Sequence, residues 1–151
     1  MAVARKTNGG TRQRARGGTV ASFLLGKREI GVGEILDRLA VREVRALLRF
    51  GLTQRETAVL LGVSERTLVR QLSAAKPDER LSVAESDRLV RAARVLQFMP
   101  EAFDDVQKGL RWLRKPNLAL GDRVPLELMQ TEQGTLMVLR SLATIAYGGI
   151  V

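Results

Sequence analysis

The chain has 151 residues, 45% of them hydrophobic but only 4% aromatic, with 25 Lys/Arg against 16 Asp/Glu. That length holds one domain or two small ones, a core of Leu, Val, Ala and Ile suits packed helices, and a net charge of +9 favours an anionic partner, nucleic acid first. There is no Cys and no His, which excludes disulfides, thiolate metal sites and His-dependent catalytic triads, though not carboxylate or Lys chemistry.

The charge is unevenly spread. Residues 1–80 carry 16 Lys/Arg against 8 Asp/Glu, and residues 81–151 carry 9 against 8. The near-neutral second half suits protein contacts. No apolar run approaches the roughly 18 residues of a membrane span. The N-terminus lacks a hydrophobic signal core, and Gly9, Gly10, Gly17 and Gly18 spoil the amphipathic helix of a transit peptide. A cytoplasmic protein without membrane contact is expected.

Residues 1–19 contain Arg5, Lys6, Arg12, Arg14 and Arg16, no acid, and almost nothing to bury. They read as a disordered basic arm, either solubilising or neutralising DNA phosphates. From Val20 to Gly33 the apolar Phe23, Leu24, Leu25 and Ile30 must pack somewhere, but no element stands out. Gly26-Lys27 fails as a phosphate loop, because residue 21 is Ala and residue 28 is Arg. Glu34 to Phe50 reads as one helix bent near Val41, with Leu36, Leu39, Ala40, Val44, Leu47 and Leu48 at helical spacing. Arg38, Arg42, Arg45 and Arg49 lie on its other sides, facing water or phosphate, and Gly51 closes it.

Thr53 and Glu56 form a T-x-x-E capping box. Ala58, Leu60 and Leu61 give the helix behind it an apolar side. Gly62-Val63 breaks that helix, and Ser64 caps the next, from Glu65 to about Ser73. Leu68 and Leu72 share one face of this second helix, leaving Arg66, Thr67 and Arg70 to other sides. Two short helices about a Gly turn, with Arg and Thr near the start of the second, read as a helix-turn-helix. The alternative reading of the same residues is an ordinary helical hairpin.

Ala74 to Arg80 is a connector, since Pro77 cannot continue a helix. Ser82 and Glu85 open a helix that runs to about Met99, with Pro100 starting a new element. A helix over Glu101–Lys115 carries Phe103, Val106, Leu110 and Leu113 as its buried stripe, with Trp112 beside it as an anchor. A loop around Gly121-Asp122 leads to a short helix begun by Pro125. The last helix runs from Thr131 to about Tyr147, weakened at its start by Gly134. The tail Tyr147-Gly148-Gly149-Ile150-Val151 is flexible at its glycines and apolar at its tip.

The set Ala58, Gly62, Val63, Ser64 and Thr67 resembles the Xre/Cro type of helix-turn-helix. The second half carries Ser86-Asp87-Arg88-Leu89, Trp112-Leu113, Pro116-Asn117, Leu120-Gly121, Pro125, Thr131, Gly134 and a closing Gly148. In that order, over residues 34–150, these motifs resemble the Xre/MbcA/ParS-type antitoxins. Asp122 departs from the pattern, standing where a second Gly is common. The resemblance implies an antitoxin of a type II toxin–antitoxin system that is not an enzyme and needs no cofactor. Its partner would be a RES-domain toxin that consumes NAD.

The expected architecture is all-α: an N-terminal Xre/Cro-like helix-turn-helix bundle at 20–76, then a helical toxin-binding domain at 81–151. A homodimer would place Gln54, Ser64, Arg66, Thr67 and Arg70 on double-stranded operator DNA, two half-sites about one helical turn apart. The last helix and its tail, Tyr147, Gly148, Gly149, Ile150 and Val151, would occlude the toxin's NAD site. The competing expectation is a stand-alone helix-turn-helix repressor whose second half only dimerises or senses a ligand.

Overall fold

The computed structural model describes residues 19–148; the basic arm up to residue 18, together with Gly149, Ile150 and Val151, lies outside the described residues. Among the described residues all regular structure is helical, apart from two isolated bridges.

The stretch without a sequence assignment begins as α1, Thr19–Leu24. Its Val20 amide donates to the carboxylate of Glu43, 2.9 Å away and buried. A side chain thereby satisfies an amide that a helix start leaves orphaned. Phe23 and Ile30 enter the core.

The single bent helix expected over 34–50 is instead three pieces. They are α2 (Val32–Leu36), a 3-10 turn (Val41–Val44) and α3 (Arg45–Phe50). The break has a tertiary cause. Residues 39–41 satisfy their backbone groups across the chain: Leu39 N donates to Ser86 Oγ (2.9 Å), Leu81 N to Leu39 O (2.8 Å) and Val41 N to Glu79 O (3.0 Å). Arg38 takes φ 66° to make that turn. Its guanidinium donates to the carbonyls of Leu81 and Arg80. Leu36, expected in the core, is 61% exposed at the end of α2.

The helix-turn-helix forms as its local signals dictate. In α4, Gln54–Leu61, the Thr53 hydroxyl accepts from Glu56 N (3.1 Å) and the Glu56 carboxylate accepts from Thr53 N (2.8 Å). Gly62 ends it in the left-handed region, φ 73°. The Arg88 guanidinium lies against Gly62 and could shift for a Cβ, so the left-handed backbone is what calls for Gly here. Ser64 caps α5, Glu65–Ala74. Ala58 and Leu68 are buried between the two helices.

The longest helix, α6, spans Val83–Ala102 and is capped by Ser82 and Glu85. It runs through Pro100, where a new element was expected. Proline removes one hydrogen bond near the end of the helix, while Val95, Leu96 and Met99 are buried on the preceding turns. The chain then extends at Phe103 (φ −132°, ψ 134°), and α7 covers only Val106–Leu113. Asp105 caps it by accepting from Gln107 N (2.9 Å). Leu110 and Leu113 are buried as expected, but Val106 is exposed, because the helix starts there instead of at Glu101. Trp112 is half-buried, its ring 5.8 Å from that of Phe103.

A 3-10 turn at Leu118–Leu120 leads to α8, Pro125–Leu128, and to α9, Glu132–Tyr147. Gly134 does more than weaken the start of α9. A Cβ on it would run into the Leu128 backbone carbonyl, so its bare Cα lets α9 pack onto α8. One connected core runs from Val20 to Leu142, and α6 is its axis, touching α1, α2 and α4 as well as α7 and α9.

Candidate functional site

Two surfaces present side chains that the core does not use. The first belongs to the helix-turn-helix. Arg66 and Arg70 lie one turn apart on α5, both exposed, and neither enters an ion pair among the described residues. Ser64 and Thr67 are already engaged. The Ser64 hydroxyl accepts from Thr67 N (3.0 Å) and donates to Thr67 Oγ1 (2.8 Å). Gln54 is the first residue of α4 and is exposed. The structure thus gathers Ser64, Arg66, Thr67 and Arg70 on the first two turns of one helix, with Gln54 at the start of its neighbour.

Other arginines of the basic half and of the motifs beyond it have structural work, and sequence spacing did not separate the two kinds. Arg42 donates to the Pro77 carbonyl (2.9 Å) in the connector after α5, and Arg45 donates to the Leu72 carbonyl (2.8 Å) in the last turn of α5. Cations at a helix C-terminus meet its unpaired carbonyls and its negative dipole end. Within Ser86-Asp87-Arg88-Leu89, Ser86 holds the Leu39 amide, Asp87 pairs with Arg91 (2.7 Å), Arg88 donates to the Leu61 carbonyl (3.2 Å) and Leu89 is fully buried. This motif ties α6 to the helix-turn-helix.

Arg114, just past α7, makes a second tie. It meets both oxygens of Glu56, at 2.6 and 3.0 Å, and also donates to the Gly51 carbonyl (3.0 Å). Those bonds hold the Glu56 carboxyl below its ordinary value against partial desolvation, with the Thr53 amide adding to the effect. Glu56 in turn raises the Arg114 pKa. A carboxylate that looked like half of a local capping box is also an anchor between the two halves.

The second surface is on α9. Leu136, Met137, Ile145 and Tyr147 are exposed there, while Val138 and Leu142 are buried against α6. Beside this helix the 3-10 turn presents Leu118 at 89% exposure. Tyr147, 57% exposed, sets its ring edge-on to Phe98 at 6.3 Å. It borders an open cleft of about 650 Å³ that Leu24, Arg94, Phe98 and Leu139 also line. Of the expected tail site, Tyr147 and Gly148 are described, Gly148 ending α9 at φ 70°; Gly149, Ile150 and Val151 lie outside the described residues. The last helix was expected from sequence to meet the toxin, but its exposed apolar side chains were not separated there from its core ones. The signal was present, since four consecutive apolar residues, 136–139, cannot all face one core from a helix.

The Asn117 turn orders the approach to α9. Its side chain accepts from Ala119 N (2.9 Å), its amide donates to the Arg123 carbonyl (3.0 Å), and its carbonyl accepts from the amides of Leu120 and Asp122. Asp122 takes φ 60°, where Gly carries no steric cost. Among the described residues, no three His, Cys, Asp or Glu side chains gather as a metal site, and no helix is long and apolar enough to cross a membrane.

Fold and surfaces together define a helix-turn-helix protein with an appended helical domain on a shared central helix. Residues 32–94 match the antitoxin Xre-like helix-turn-helix domain, and residues 101–148 match the antitoxin Xre/MbcA/ParS C-terminal toxin-binding domain. The chain thus carries, in order, matches to both domains of the Xre/MbcA/ParS-type antitoxins. It is 38% identical over 71 residues to antitoxin Xre of Pseudomonas putida, covering 47% of this chain and 45% of that one. It is 32% identical over 88 residues to antitoxin Xre of Yersinia enterocolitica, covering 58% and 57%. The chain spans about half the length of the curated relatives it matches. Its fold is similar to a chain from the crystal structure of the M. tuberculosis MbcT–MbcA toxin–antitoxin complex. The TM-score is 0.55 at 22% identity, over 88% of this chain and 98% of that one.

Proposed function

We propose that this protein is the antitoxin of a type II toxin–antitoxin system. It neutralises a RES-type, NAD-consuming toxin and binds its own operator as a homodimer in the cytoplasm. The observation that carries the reading is the pairing of exposed apolar side chains along α9 with the toxin-binding domain match that ends at residue 148. Exposed apolar side chains on a helix that leads into an apolar tail suit a protein partner. Neutralisation is steric: α9 docks on the toxin and Tyr147 to Val151 enter its cleft, excluding NAD without any chemistry by this chain. On DNA, α5 lies in the major groove, Arg66 and Arg70 reach base edges or phosphate, and the starts of α4 and α5 meet the backbone. Ser64 and Thr67 serve this surface chiefly by fixing the start of α5.

The test is co-purification with the product of the neighbouring gene, followed by NAD consumption by that product with and without this chain. A stable complex with suppressed NAD loss is expected, and deletion of residues 148–151 should restore NAD loss. Full suppression by the truncated chain sinks the occlusion mechanism. No complex, with DNA binding intact, leaves a stand-alone repressor.

A further inference from the structure

We infer that the DNA-phosphate surface does not stop at the helix-turn-helix but continues onto α7 of the toxin-binding half, through Arg111 and Lys115. The inference rests on the operator reading above and adds contacts to it.

The geometry starts from Arg114. Its bonds to Glu56 and to the Gly51 carbonyl fix the end of α7 against the start of α4. In a helix-turn-helix complex the first of the two helices crosses the DNA backbone while the second enters the groove. A backbone passing the start of α4 therefore also passes the end of α7. Two cations wait there besides Arg114: Arg111, one turn back, and Lys115, the next residue. Both are exposed, and neither enters an ion pair among the described residues.

The neighbouring charges narrow the choice. Arg55 and Arg123 share a cleft of about 550 Å³ between α4 and α8, but Glu56 and Glu127 line the same cleft. Arg114 is committed to Glu56. At the far end of α7, Lys108 pairs with Asp104 (3.2 Å). Among the described residues, the positive charge left without an ion-pair partner at this end of α7 is that of Arg111 and of Lys115 just beyond it. A cation lying beside a folded surface, not neutralised by it, is what a phosphate contact requires, and it carries no base information.

The experiment is a salt titration of binding to the operator fragment and to an unrelated duplex of equal length. It uses the full chain, R111A/K115A, K108A and R70A, each checked for an unchanged melting transition. Each lost phosphate contact lowers the slope of log K against log salt by about 0.9. R111A/K115A should therefore lose up to about 1.8 of slope, weaken binding to both duplexes by the same factor, and leave the operator preference intact. K108A should match the wild type. A wild-type slope for R111A/K115A beside a weakened R70A overturns the extension and leaves the operator reading standing. Failure of the wild type to bind either duplex overturns both.

Discussion

The outward faces of α5 and α9 are built on the same local plan and offer opposite chemistry. Each helix begins at a hydroxyl cap, Ser64 or Thr131, and each buries aliphatic side chains, Leu68 on one and Val138 and Leu142 on the other. Yet α5 presents Arg66 and Arg70 to solvent, and α9 presents Leu136, Met137, Ile145 and Tyr147. An arginine face gains affinity from an anionic partner and weakens with salt. An apolar face gains it from burial and responds little to salt. One small core thus carries two surfaces that ask for different partners, with α6 holding them in one frame.

The comparison breaks most severely at Gly134. Gly134→Ala drives a Cβ into backbone, not into a flexible side chain. We expect a loss of about 3 kcal/mol, of the order seen for overpacking, measured by denaturant unfolding, with toxin binding lost alongside. Tyr147→Ala should separate the faces. Toxin affinity should fall by about 2 kcal/mol if Tyr147 is an anchor of that interface, with operator binding unchanged in the same preparation. Arg70→Ala is the mirror case. Operator affinity should fall by about 1–2 kcal/mol while toxin affinity, measured by calorimetry, holds; an unchanged operator affinity removes Arg70 from the site.

The frame between the faces is tested at Arg114. Its pair with Glu56 is partly exposed, so Arg114→Ala should cost only about 1 kcal/mol. The pH dependence has a definite sign. The Glu56 carboxyl is depressed in the folded protein, so its contribution is present above its ordinary value of 4.5 and is lost as pH falls from there through the folded value. Stability curves of the wild type and Arg114→Ala should converge on acidification. The smallest effect has the opposite sign. Asp122→Gly relieves a left-handed φ and should stabilise by about 0.5 kcal/mol or more, visible as a raised Tm with both binding activities retained.

Much of the candidate site was legible because its signals are local. The Thr53–Glu56 box, the left-handed Gly62 and the Ser64 cap each act within four residues, so the helix-turn-helix and the position of Arg66 and Arg70 follow from short sequence. The Asp105 cap was equally local and was passed over, which misplaced the start of α7. The arginines were not legible as a class. Arg42, Arg45, Arg88 and Arg114 look like Arg66 and Arg70 in sequence, and only their carbonyl and carboxylate partners, 27 to 63 residues away, set them apart.

By itself the sequence determined an all-α chain, its helix caps, its turns and the order of its two halves, because capping, left-handed turns and apolar periodicity depend on neighbouring residues. The tertiary structure alone decided that residues 39–41 leave the helical path to pair with residues 79–81 and Ser86, that α6 runs on through Pro100, and that Gly134 lets α9 meet α8. Each of those choices satisfies backbone groups or fills space with partners far along the chain, and no local pattern encodes a partner's distance.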